Sequence, residues 1–77
     1  MRNEIPATPI HSVKQLGEMI RKRRKLHKIT IQQMADHMGV SPRFIGELER
    51  GRESVSAKTL LIALNLVGID IEAKPRS

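Results

Sequence analysis

Residues 30–51 read TIQQMADHMGVSPRFIGELERG, and they contain two helix starts and two helix stops. Thr30 followed three positions on by Gln33 is a capping box, in which a hydroxyl and an amide satisfy backbone N–H groups that a helix start leaves free. Ile31, Met34, Ala35 and Met38 then recur at i, i+3, i+4 and i+7, which is one buried face of a helix. Gly39 can take the left-handed conformation that ends it. Two positions later Ser41 is a second cap, with Pro42 at the first helical position, where its missing N–H is no loss. Ile45 and Leu48 face the core, this helix runs to Arg50, and Gly51 closes it. The stretch predicts two short helices joined by a tight turn.

Upstream, Ser12 caps another helix, with Val13, Leu16 and Ile20 at helical spacing. That helix continues through the basic run Arg21, Lys22, Arg23, Arg24, Lys25 and ends near Lys28. Residues 1–11 carry Pro6 and Pro9 and no apolar period, which reads as a flexible arm. Downstream, Arg52, Glu53 and Ser54 lead to Ser56, the cap of a fourth helix made apolar by Leu60, Leu61, Ala63, Leu64 and Val67 and ended by Gly68. Beyond Gly68 the period drops to two, with Ile69, Ile71 and Ala73 on one side and Asp70, Glu72 and Lys74 on the other. A lone strand leaves its backbone groups unpaired, so this pattern predicts antiparallel pairing with the same strand of a second copy. The expected organisation is an arm (1–11), a four-helix all-α domain (12–68), and a dimerisation strand and tail (69–77).

A chain of 77 residues holds one domain whose lone core is marginal, which also favours a second subunit. A net charge of +6 and a pI near 10.6 imply a polyanionic partner, without separating DNA from RNA or an acidic membrane. The absence of cysteine excludes disulfides and thiolate metal sites, and it is compatible with a reducing compartment. No apolar run approaches the roughly 18 residues of a membrane span, and the polar start is no signal peptide, so the expectation is a cytoplasmic, nucleoid-associated chain. His11, His27 and His37 lack zinc-ligand spacing, and no motif sets a nucleophile beside a base. Neither metal, cofactor, small-molecule ligand nor enzymatic activity is expected.

Two short helices with Gly39 and Val40 between them have the layout of a helix-turn-helix, whose second helix lays its first side chains on base edges in the major groove. Generic helical hairpins share that layout, and the residues are more specific. Leu16-Gly17, Ile20-Arg21, Arg24, Thr30, Met34-Ala35, Gly39-Val40-Ser41, Ile45, Leu48-Glu49 and Gly51 together resemble the XRE/Cro-repressor family over about residues 16 to 67. The resemblance implies a four-helix lambda-repressor-like domain. Val55-Ser56, Thr59-Leu60-Leu61, Leu64 and the tail from Gly68 to Arg76 look like the HipB-type antitoxins among them. That likeness implies a homodimer that represses its own toxin–antitoxin operon at a palindromic site and neutralises a HipA-type serine/threonine kinase toxin. Ile31, Lys28 and Arg23 depart from the family pattern, which commonly has Gln, Gly and an apolar residue at those positions. Arg52-Glu53-Ser54 also replaces a Lys-Pro-Thr-like turn.

The candidate base readers are Ser41, Pro42, Arg43, Phe44 and Glu47. Arg43 can bond both acceptors of a guanine edge, or it can pair with Glu47 one helical turn on. Glu47 can accept from a cytosine amino group, or it can hold Arg43 and repel phosphates in wrong registers. Pro42 and Phe44 can touch thymine methyls, whereas the alternative for Phe44 is the edge of the core. Arg50, Arg52, Ser54, Ser56 and Lys58 gather around the exit of the reading helix as a phosphate grip, with Thr30, Gln32 and Gln33 as further phosphate contacts. The family pattern pairs Glu49 with Arg24, implying a partly buried structural ion pair. The rival functions are a stand-alone or phage-type regulator without a toxin, and a protein-binding adaptor that uses the fold as scaffold.

Overall fold

A computed structural model of the chain describes residues 7–52 and 54–77; residues 1–6 of the expected arm, and Glu53, lie outside the described residues. Among the described residues four helices follow in order: α1 (Val13–Leu26), α2 (Ile31–Met38), α3 (Pro42–Glu49) and α4 (Ala57–Leu66). Each opens on the same device. The hydroxyls of Ser12, Thr30, Ser41 and Ser56 accept from the backbone N–H three residues on, at 3.0 to 3.1 Å. At Thr30 the box is complete, because Gln33 Oε1 accepts from the Thr30 N–H at 2.8 Å. Each such cap stabilises its helix by about 1 kcal/mol.

The helices also close alike, through the paired hydrogen bonds of a Schellman motif. The N–H groups of Ile29, Val40, Arg52 and Ile69 reach back to the carbonyls of Arg24, Ala35, Glu47 and Leu64, at 2.9 to 3.2 Å. The residue just before each donor is left-handed: Lys28 (φ 57°), Gly39 (70°), Gly51 (84°) and Gly68 (76°). Three of the four are glycines, for which that conformation is free; Lys28 carries the strain of a Cβ. The motif ends α1 at Leu26, two residues short of the sequence expectation, because a left-handed Lys28 cannot be helical. Likewise α3 stops at Glu49, with Arg50 as its cap.

Ile20 of α1, Met34 and Ala35 of α2, Ile45 and Leu48 of α3, and Ala63, Leu64 and Val67 at α4 form the buried core. Helix α3 is the hub, packed on both α1 and α2. Its approach to α1 leaves no room for a side chain: a Cβ on Gly17 would lie 2.6 Å from the Glu49 carbonyl oxygen. A Cβ on Gly51 would overlap the Lys14 backbone. These contacts fix the direction in which α3 projects.

At the chain ends the structure differs from the alternating pattern. Residues 69–77 form no strand. Ile69 instead packs against the core, and its N–H is spent on Leu64, while residues 70–77 are exposed. A ladder needs a second strand, which a single copy does not supply. At the other end, Gln15 ties the last residues of the expected arm to α1, accepting from the His11 N–H and donating to the Pro9 carbonyl, both at 2.9 Å. No helix of the described residues is long and apolar enough to cross a membrane.

Candidate nucleic-acid interface

Helix α3 is short enough that its buried and exposed residues can be separated one by one. Ile45 and Leu48 point into the core, and Phe44 is half-buried against it. Ser41, Pro42 and Arg43 stand exposed at the helix start, with Glu47 one turn further on. Ser41 accepts from the Phe44 N–H, which uses one lone pair and leaves its hydroxyl able to donate outward.

Glu47 links two regions of this surface. Its Oε1 lies 3.5 Å from Arg43 Nε and its Oε2 lies 3.8 Å from Arg52 Nε. The first pair was an open reading of the sequence; the second was not foreseen. Its signal was weak, because Arg52 reaches Glu47 only after the Gly51 turn folds the chain back and the Arg52 N–H bonds the Glu47 carbonyl.

The other expected phosphate contacts fall into separate sets. Arg50, Ser54, Ser56 and Lys58 are all exposed between the end of α3 and the first turn of α4. Ser56 spends its hydroxyl hydrogen on Thr59 Oγ1 at 2.9 Å, so the first-turn N–H groups of α4 are better placed to meet an anion than its side chain. At α2, Gln32 donates to Asp36 Oδ1 at 2.8 Å and the Gln33 carbonyl oxygen is held in the capping box. Thr30, which accepts from Gln33, keeps a hydroxyl donor.

On the far side of α3, Arg24 and Glu49 are both about 6% exposed. Arg24 Nε donates to Glu49 Oε2, and Nη2 donates to Oε1 at 3.1 Å, a bidentate pair. Arg24 Nη1 donates to the Ile29 carbonyl at 2.9 Å, so one guanidinium fastens α1, the turn before α2, and α3. Its neighbour Arg23 belongs to the basic last turn of α1. It is half-buried and donates from Nε to the Val67 carbonyl at 3.2 Å, satisfying the end of α4 where cations suit the helix dipole. The signal was present in the sequence, since Arg23 occupies a position where the family pattern is apolar.

A helix-turn-helix family model matches residues 20–73, well over half of the chain. The chain belongs to the XRE-type helix-turn-helix family. No curated protein matches it. The match begins inside α1 and covers α2, the turn, α3 and α4, so it contains the whole surface described above. Members of the XRE-type family are DNA-binding regulators, and this chain is a DNA-binding regulator of that type.

Proposed function

We propose that the chain is a homodimeric transcriptional repressor, with α3 as its reading helix. The observation that carries this is an exposed start of α3, Ser41-Pro42-Arg43, held by a capped turn on a rigid core and followed by exposed Arg50, Arg52 and Lys58. Arg43 and Glu47 supply the polar base contacts, Pro42 an apolar one, and Arg50, Arg52, Ser54, Ser56 and Lys58, with Thr30, the phosphate contacts. Two copies would place their α3 helices about 34–36 Å apart on a palindromic operator.

Duplexes selected from a random-sequence pool by the purified chain should converge on an inverted repeat. Binding should fall steeply as salt rises, because Lys and Arg contacts release condensed counterions. A flat salt response favours the adaptor reading and removes this one.

The antitoxin role, with repression of its own operon and a HipA-type kinase as partner, rests on the likeness of the fourth helix and tail to HipB-type antitoxins. Co-purification of a kinase from the native host would support it, and a chain recovered alone with its operator would favour the stand-alone regulator. Dimerisation through residues 71–77 has its own test. Because Ile69 belongs to the core, the cut is made after Asp70; the truncated chain should keep its melting transition at high concentration yet sediment as monomer. An unchanged dimer removes the strand-pairing role.

A further inference from the structure

We propose that Glu47 is a specificity-determining residue, one that occupies Arg43 and Arg52 on a single carboxylate and thereby weakens binding to DNA of the wrong sequence. This rests on the DNA-binding reading above.

The geometry assigns each carboxylate oxygen its own arginine, Oε1 to Arg43 and Oε2 to Arg52, at 3.5 and 3.8 Å. The Glu47 side chain is 24% exposed, against 88% for Arg43 and 61% for Arg52. The acceptor is therefore fixed on the protein while the donors reach into solvent. Arg52 is also held through its backbone N–H on the Glu47 carbonyl, at 3.2 Å, so its return to the carboxylate requires no further ordering of the loop.

Helix stability does not account for the arrangement. Arg43 sits in the first turn of α3, where the dipole favours an anion, and Glu47 sits towards the last, where it favours a cation. Placing the base before the acid is also the weaker order for an i, i+4 pair. The charges oppose the helix that carries them, so their value lies outside it.

On a duplex, every phosphate must compete with this carboxylate for Arg52, and every base edge must compete with it for Arg43. A guanine offers Arg43 two acceptors and compensates for the lost partner. A wrong base does not, and there Glu47 retains its arginines and repels the backbone. Discrimination then comes from a penalty on incorrect sites as well as from a contact on the correct one.

The experiment compares wild type, Glu47→Gln and Asp70→Asn on a random-sequence duplex across a salt series, with melting curves to show that all three fold. Asp70 is exposed beyond α4 and precedes the segment proposed to dimerise, so Asp70→Asn makes the same change in net charge away from the site. Glu47→Gln should tighten random-duplex binding by about threefold, the scale of an exposed ion pair released. It should also steepen the salt slope by about one counterion. Asp70→Asn should leave both near wild type. An unchanged or weaker Glu47→Gln, or an equal gain from Asp70→Asn, overturns the proposal while leaving DNA binding intact. A wild type that fails to bind the duplex at low salt removes the DNA reading and this inference together.

Discussion

Two glutamates, two residues apart on α3, show how one short helix is divided between holding and reading. Glu49 faces inward and shares a bidentate, desolvated pair with Arg24. Glu47 faces outward and shares looser contacts with Arg43 and Arg52. Both pair an acid with arginine, yet the surroundings set opposite consequences. In the dry pair either charge left alone is costly, whereas in the wet pair water and salt replace the partner at little cost. The inner glutamate serves to fix α3, and the outer one leaves its arginines exchangeable.

The widest separation should come from removing each acid in turn. Glu49→Ala strands a buried guanidinium and should lower the free energy of unfolding by about 3–5 kcal/mol in urea denaturation. For a domain this small that is a large share of its total stability. Glu47→Ala should stay within roughly 0.5 kcal/mol of wild type. The double replacement Arg24→Met with Glu49→Leu should regain most of the loss, since burying apolar atoms of similar size avoids desolvating two ions. Equal effects from the two single alanine variants would abolish the distinction.

The inner half of the comparison was legible in the sequence to a degree the outer half was not. Capping hydroxyls, the Gly39 and Gly51 stops and the apolar spacing are local signals, and local chemistry enforces them. The Arg24 and Glu49 pair, 25 residues apart, came from likeness to a family rather than from spacing. The Arg52 contact depends on a left-handed turn whose direction no periodicity encodes. Arg23 on the end of α4 joins residues 44 positions apart. The alternating tail, read as a strand, shows the converse limit: period two describes which side chains share a face, and a ladder still requires a partner to bond.

On the outer side, the second test concerns affinity rather than stability. Arg43→Ala should cost about 1–3 kcal/mol on a selected duplex and relax preference at one base pair, with an unaltered melting temperature. Arg52→Ala should weaken the selected duplex and reduce its salt slope by about one, with a smaller loss on a random duplex, where Glu47 still holds Arg52. Should Arg43→Ala weaken both duplexes equally, Arg43 belongs with the phosphate contacts, and the outer pair loses its reading role.

The smallest effect lies at the turn that anchors the inner pair. Lys28 is left-handed, next to the Ile29 carbonyl that receives Arg24. A Cβ there costs about 1–2 kcal/mol, which Lys28→Gly removes. Glycine also adds freedom to the unfolded chain, returning about 0.4–1 kcal/mol of that gain. The variant should therefore be more stable by about 0.8 kcal/mol, the difference of those two terms, in denaturant titration. Lys28→Ala isolates the lost charge, because alanine keeps the strain and removes only the cation from the end of α1, where it favours the dipole. If Lys28→Gly is less stable than wild type and Lys28→Ala falls further, the charge outweighs the strain, and the turn is held by electrostatics as well as by its two hydrogen bonds.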